Sequence, residues 1–168
     1  MQQRRFDGGR SACYLAGNSE PMRAFFTSVA VLSAPAFAQE VVKLELSADD
    51  RMIYSKTSFE VTSGQKVSLV FKNTSTKGEK AMKHNVVLLK PGTPIMAFAP
   101  KCLAAAATGY VPTDKESKEK MVGSTKLIAG GQSATLNFVA GEAGEYLFFC
   151  SSPGHFDKMH GKIVVKVK

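Results

Sequence analysis

Residues 145–150, Glu-Tyr-Leu-Phe-Phe-Cys, lead into Ser151-Ser152-Pro153-Gly154-His155-Phe156-Asp157-Lys158-Met159. Residues 162–168, Lys-Ile-Val-Val-Lys-Val-Lys, follow it. Two strand-like runs thus hold a polar, turn-bearing loop between them. The first is aromatic and follows Gly141 and Gly144; the second is β-branched. Toward the N-terminus the same signal recurs. Val42, Leu44 and Leu46 alternate with Lys43 and Glu45, the period of a half-buried strand. Residues 52–54 and 58–61 are shorter candidates, followed by a turn at Ser63-Gly64. Lys66–Asn73 carries Val67, Leu69 and Phe71 at period two, and residues 85–89 form a compact apolar run ended by Pro91-Gly92. Residues 124–129 and 133–139 flank Gly130-Gly131, a hairpin signal. Eight or so short strands separated by turn residues predict an all-β sandwich or barrel. Residues 93–121 break the pattern. They are Ala-rich, end in a charged run and read as a flap with one or two short helices inserted between strands.

The chain has 168 residues, enough for one domain. Apolar residues at 44% and charged residues at 21% are ordinary globular values, which excludes wholesale disorder, a collagen, a coiled coil and a repeat array. Residues 22–38 contain Arg23 after a Met, an apolar run over 24–32 and a small-x-small Ala36-Phe37-Ala38, the three parts of a secretory signal peptide. Cleavage is expected after Ala38, leaving a periplasmic or secreted protein. The run is too short to span a bilayer, which needs about 20 residues. Residues 1–21 are polar and unlike a normal n-region. The expectation is an upstream extension, with translation starting at Met22 and Cys13 outside the mature protein.

The mature domain is then 39–168. The removed part carries four Arg and two acids, so the net charge of +8 becomes +6. A basic exported protein favours acidic protein partners or anionic surfaces. The lysines are scattered with no run of five, so no nucleic-acid tail is indicated. Of the two remaining cysteines, Cys102 and Cys150, the default reading in an oxidising compartment is one disulfide.

The last loop places a thiol, an imidazole and a thioether, Cys150, His155 and Met159, within ten residues. Upstream, His84-Asn85 opens another strand. One Cys, two His and one Met are the ligand set of a blue-copper centre, a trigonal His2Cys plane with a weak axial Met. Singly, each residue has a plainer reading. His84 would be a surface or capped histidine, Met159 a filler of a core gap, Cys150 a disulfide partner or buried thiol, and Pro153-Gly154 a turn. Together, in the order His-Asn and then Cys-x4-His-x3-Met before a terminal strand, they favour the metal. Zinc is the nearest competitor, but it prefers four strong ligands and rarely takes Met. His160 could serve zinc, yet it directly follows Met159 and the geometry would be cramped.

These motifs resemble the cupredoxins, specifically the azurin and auracyanin group of small blue-copper proteins. The stretch from Tyr146 to His155 is similar to the azurin ligand loop, and Met82-Lys83-His84-Asn85 to the segment around its first ligand. The resemblance covers nearly all of the mature chain, including the helical flap. It implies a Greek-key β-sandwich and one type 1 copper per chain. His84, Cys150 and His155 would be equatorial ligands, Met159 the axial one, and Asn85 the residue linking the ligand loops. There are three departures. Lys83 stands where azurins have Gly, whose carbonyl gives a weak fifth contact. Ser152 stands where azurins have Phe; its backbone N–H remains able to bond the sulfur. Cys102 has no partner once Cys150 binds metal, so the azurin disulfide is absent.

The function so implied is a soluble one-electron carrier and not an enzyme. Its partners would be redox proteins such as a c-type cytochrome or a copper- or haem-containing reductase or oxidase, with no nucleic acid and no membrane span. The alternative is copper delivery or storage. Copper oxidases and nitrite reductases need further domains, for which the mature chain has no room.

Overall fold

The computed structural model describes residues 40–76 and 82–168; the expected extension, signal peptide and cleavage point lie outside the described residues. The alternating strands bury what their period says they should. In β1 (Val41–Ala48) Leu44, Leu46 and Ala48 point inward. In β3 (Lys66–Asn73), after β2 (Ser58–Thr62), Val67, Leu69, Phe71 and Asn73 do. β4 (Val87–Leu89) is buried on both faces, because α1 (Ile95–Ala104) covers the side away from the sandwich core. That double cover is why its sequence is a continuous apolar run. A 3-10 turn (Ala106–Thr108) and α2 (Lys115–Lys120), capped by the Asp114 carboxylate, complete the flap. β5 (Met121–Ser124), β6 (Ser133–Val139), β7 (Gly144–Phe149) and β8 (His160–Lys166) follow.

The strands form two sheets, β1-β3-β6 and β2-β8-β7-β4-β5. β1 runs parallel to β3 and β2 parallel to β8, while β3–β6, β7–β8, β4–β7 and β4–β5 are antiparallel. This is the all-β Greek-key sandwich expected from the sequence. Its core joins Leu69, Phe71 and Leu136 of one sheet to Phe148, Ile163 and Leu88 of the other. A fully buried Leu or Phe contributes roughly 1.5–3 kcal/mol.

Two expected elements differ. Residues 52–54 form no strand. Asp49 bonds the backbone N–H of Arg51 through its carboxylate, the chain turns there, and only Tyr54 bridges back to Ala48. The expected hairpin around Gly130-Gly131 is also absent, since β5 and β6 lie in different sheets. Only Gly131 has a positive φ, +82°, so the turn closed by Gln132 N–H to Ala129 carbonyl is not one of the primed turns that match hairpin twist. A Cβ on Gly130 would collide with the Ser75 carbonyl. Gly130 thus serves close packing against Ser75 just beyond β3, and Gly131 supplies the left-handed position of the turn.

Candidate metal centre

Both sheets and the last loop meet at one end of the sandwich. His84 comes just before β4 and is held by a two-bond bridge to Ile128, 3.1 Å from His84 N–H to the Ile128 carbonyl and 2.9 Å in return. Asn73, buried at the end of β3, donates from Nδ2 to the carbonyls of Met82 (2.8 Å) and Ile128 (2.9 Å), gripping both sides of that bridge. Behind the ring, Ser75 Oγ lies 3.4 Å from His84 Nε2. A partner on that ring nitrogen leaves the other, Nδ1, able to act as a donor atom.

The last loop is shaped by its own turn residues. Ser152 carbonyl accepts from His155 N–H (3.1 Å) across Pro153 and Gly154, with Gly154 at φ +77°. Pro at the second position and Gly at the third is the requirement of a type II turn. From His155 the chain makes one helical turn: Met159 N–H donates to the His155 carbonyl (2.8 Å), and Cys150 N–H donates to the Met159 carbonyl (3.0 Å). The backbone therefore ties Cys150, His155 and Met159 to one another. Asn85 joins this loop to the His84 segment by donating from Nδ2 to Ser151 Oγ (2.8 Å) and accepting at Oδ1 from Ser151 N–H (2.9 Å).

The result is a triangle of donor atoms. His84 Nδ1 is 3.2 Å from His155 Nδ1, and Cys150 Sγ is 3.9 Å and 3.6 Å from them. A point equidistant from all three lies about 2 Å from each, the length of a metal–nitrogen bond. His84, Cys150 and Met159 are fully buried, and His155 is 9% exposed. Burial, and secondarily the charge of His155, pushes the His84 imidazole down to about 4, and burial also lowers His155. Burial pushes the Cys150 thiol up to about 11, against the pull of backbone N–H groups of Asn85 and Ser152. Both rings thus favour the neutral form with lone pairs available, and a bound cation would supply the positive charge that stabilises Cys150 as the thiolate.

Among the described residues His84, Cys150 and His155 are the one group of His, Cys, Asp or Glu with metal-binding spacing. Met159 shares the core cluster of Cys150, while His160 is exposed and outside the group. Cys102 and Cys150 are both free, with Cys102 in the separate cluster under α1. Lys83 is exposed and does not adopt a positive φ; the left-handed residue is Met82, at φ 58°. Glycine's freedom is therefore not needed at position 83.

Residues 40–166 match the copper binding proteins, plastocyanin/azurin family. The chain belongs to this family. Auracyanin-A of Chloroflexus aurantiacus is 35% identical over 121 residues, 71% of this chain and 70% of that protein. Azurin of Bordetella pertussis is 30% identical over 141 residues, 80% of this chain and 90% of that protein. The crystal structure of dithionite-reduced auracyanin from Roseiflexus castenholzii superposes with a TM-score of 0.66 at 30% identity, covering 74% of this chain and 97% of that one. The chain is thus a copper-binding cupredoxin, and the His84, Cys150, His155 group is consistent with one type 1 copper. Among the described residues no helix is long and apolar enough to cross a membrane.

The sequence reading did not single out Asn73, Ser75, Ile128 or Tyr54 for this site. Asn73 carried a signal, a polar residue at an inward position of an alternating strand. Tyr54 donates its hydroxyl to the Asn85 carbonyl at 2.6 Å.

Proposed function

We propose that this cupredoxin is a one-electron carrier, in which His84, Cys150 and His155 would hold one copper and the Met159 thioether would be its weak fourth ligand. Bound copper supplies the Cu(I)/Cu(II) couple. The chain's residues do the rest. The observation that carries this reading is the buried donor triangle, preset by bonds between the His84 segment and the last loop. Side chains fixed by both sheets move little between oxidation states, which suits transfer more than release. Family members are generally electron carriers rather than enzymes, and a solved relative bears the description of a "blue" copper protein. Residues 22–38, read as a signal peptide, would place the carrier in the periplasm or outside the cell.

His155 is the route to the partner. Its Nδ1 faces Cys150 and His84, and the turn that leads into it, Pro153 and Gly154, is exposed. Exposed Lys83 and Lys158 flank this end, favouring acidic redox partners, a c-type cytochrome or a copper- or haem-containing reductase or oxidase among them. Rates with such a partner should fall as salt rises, and Met82→Glu should slow exchange with little spectral change. A rate indifferent to both contradicts this docking face.

The carrier reading is tested by cycling the copper-loaded protein between a chemical reductant and oxidant while metal content is followed. Reversible uptake of one electron per chain with copper retained is expected. Copper released on reduction contradicts the carrier and supports delivery or storage.

A further inference from the structure

Tyr54 stands in an aromatic core. Its ring meets Phe71 edge-on (centroids 5.9 Å, 88°) and Phe148 at a tilt (5.5 Å), and the residue is 5% exposed. A Phe would fill that space equally well, and a buried hydroxyl is costly unless bonded. Tyr54 directs its one polar group to a single place, the carbonyl of Asn85 at 2.6 Å. Asn85 directly follows His84, and its side chain holds Ser151, the neighbour of Cys150, by two bonds, which sets its backbone N–H on the Cys150 side of the site. The residue that joins the His84 segment to the Cys150 loop is thus itself pinned by Tyr54, 31 residues earlier in the chain.

We propose that Tyr54 is a positioning residue for the metal centre, whose hydroxyl fixes the Asn85 backbone so that the Asn85 N–H stays aimed at the Cys150 sulfur. This rests on the copper reading above. An N–H donor withdraws negative charge from the sulfur. The reduced centre carries one more electron than the oxidised one, so the donor favours the reduced form. Hydrogen bonding around the Cys sulfur is one of the levers that sets the potential of such sites. Without the hydroxyl, the Asn85 carbonyl loses its anchor, the Asn85 N–H moves off the sulfur, and the oxidised form gains relative stability.

The test compares Tyr54→Phe with Tyr146→Phe in the copper-loaded protein. Tyr146 also donates its hydroxyl to a backbone carbonyl, that of Glu142 at 3.0 Å, but at the far end of β7. Each variant is measured for copper content, visible spectrum and equilibrium with a one-electron reference couple. Tyr54→Phe should keep one copper per chain, move the visible band and shift the equilibrium toward the oxidised form by about three- to tenfold, tenfold being about 59 mV. Tyr146→Phe should leave band and equilibrium unchanged. In metal-free protein the Asn85 amide resonance should move in the first variant only. An unmoved band and equilibrium in Tyr54→Phe, with only a lower melting temperature, overturns the proposal, as do equal shifts in both variants. Should Tyr54→Phe fail to fold, 3-fluorotyrosine at position 54, a stronger donor of nearly the same shape, should shift the equilibrium the other way; no shift overturns the proposal. A wild-type protein with no blue band overturns the copper reading itself, whereas a blue wild type with an unmoved Tyr54→Phe removes only the positioning role.

Discussion

Asn85 and Ser151 stand 66 residues apart and exchange two hydrogen bonds, Nδ2 to Oγ at 2.8 Å and backbone N–H to Oδ1 at 2.9 Å. Asn85 is fully buried and Ser151 is 1% exposed, so water cannot replace either bond without rearrangement. They are the direct link between the segment of His84 and the loop of Cys150, His155 and Met159.

Asn85→Ala leaves the Ser151 N–H buried without its partner. Stranding a buried polar group costs about 1–3 kcal/mol. Urea unfolding of the metal-free variant should show a loss of that size, and its copper-loaded form should have an altered reduction potential. Unchanged stability and potential would mean that the link is not what holds the two segments together.

The metal-free protein should lose stability as pH falls from about 6.5 toward 4. The His84 imidazole is lowered from 6.5 to about 4 in the fold, chiefly by burial, and His155 is lowered in the same direction. The unfolded chain then binds protons first, so stability is full above 6.5 and is lost through this window. For His84 the loss is of order 3 kcal/mol. Denaturant midpoints measured across this range check it, and a flat profile contradicts it.

Cys102 should be inert in the folded protein. It is 1% exposed, and burial pushes its thiol up to about 12. Alkylation of native protein near neutral pH should leave it unlabelled. The metal-free, unfolded chain from residue 39 onward should then return two free thiols, Cys102 and Cys150. A count of zero would mean a disulfide, and Cys150 could not then be a ligand.

Met159→Gln should lower the reduction potential while copper stays bound, because a thioether favours Cu(I) and a harder oxygen donor favours Cu(II). Met159 is fully buried, and its backbone is fixed by Cys150 and His155, so the side chain changes without moving the loop. Voltammetry on the two proteins checks the shift. Equal potentials mean that Met159 is not axial.

What the sequence revealed follows from what is local in it. β3 and β6 match the expected bounds because period two is written in adjacent residues. The last loop was legible because Pro153-Gly154 dictates its turn and the Cys, His and Met spacing lies within ten residues. Residues 124–129 misled for the opposite reason. Instead of extending as a hairpin arm, the segment pairs the Ile128 backbone with His84, 44 positions away, and the Thr125 hydroxyl accepts from the Val86 N–H at 2.9 Å. No local pattern distinguishes that from a hairpin arm. Asn73 and Tyr54 read as ordinary residues until the fold sets Asn73 against Met82 and Ile128, and Tyr54 against Asn85. Met82 likewise takes a left-handed backbone with nothing in its side chain to announce it; the Asn73 bond to its carbonyl accompanies that conformation.

The central claim is that Cys150 joins His84 and His155 in holding one redox-active copper. The most direct measurement is the visible spectrum of the copper-loaded protein beside that of Cys150→Ser, through one cycle of reduction and reoxidation. The wild type should show an intense red-region band at one copper per chain, bleached on reduction and restored on oxidation at constant copper content. The variant should lack the band while keeping its β-sheet circular dichroism. A wild type without the band, or a variant that keeps it, contradicts the account.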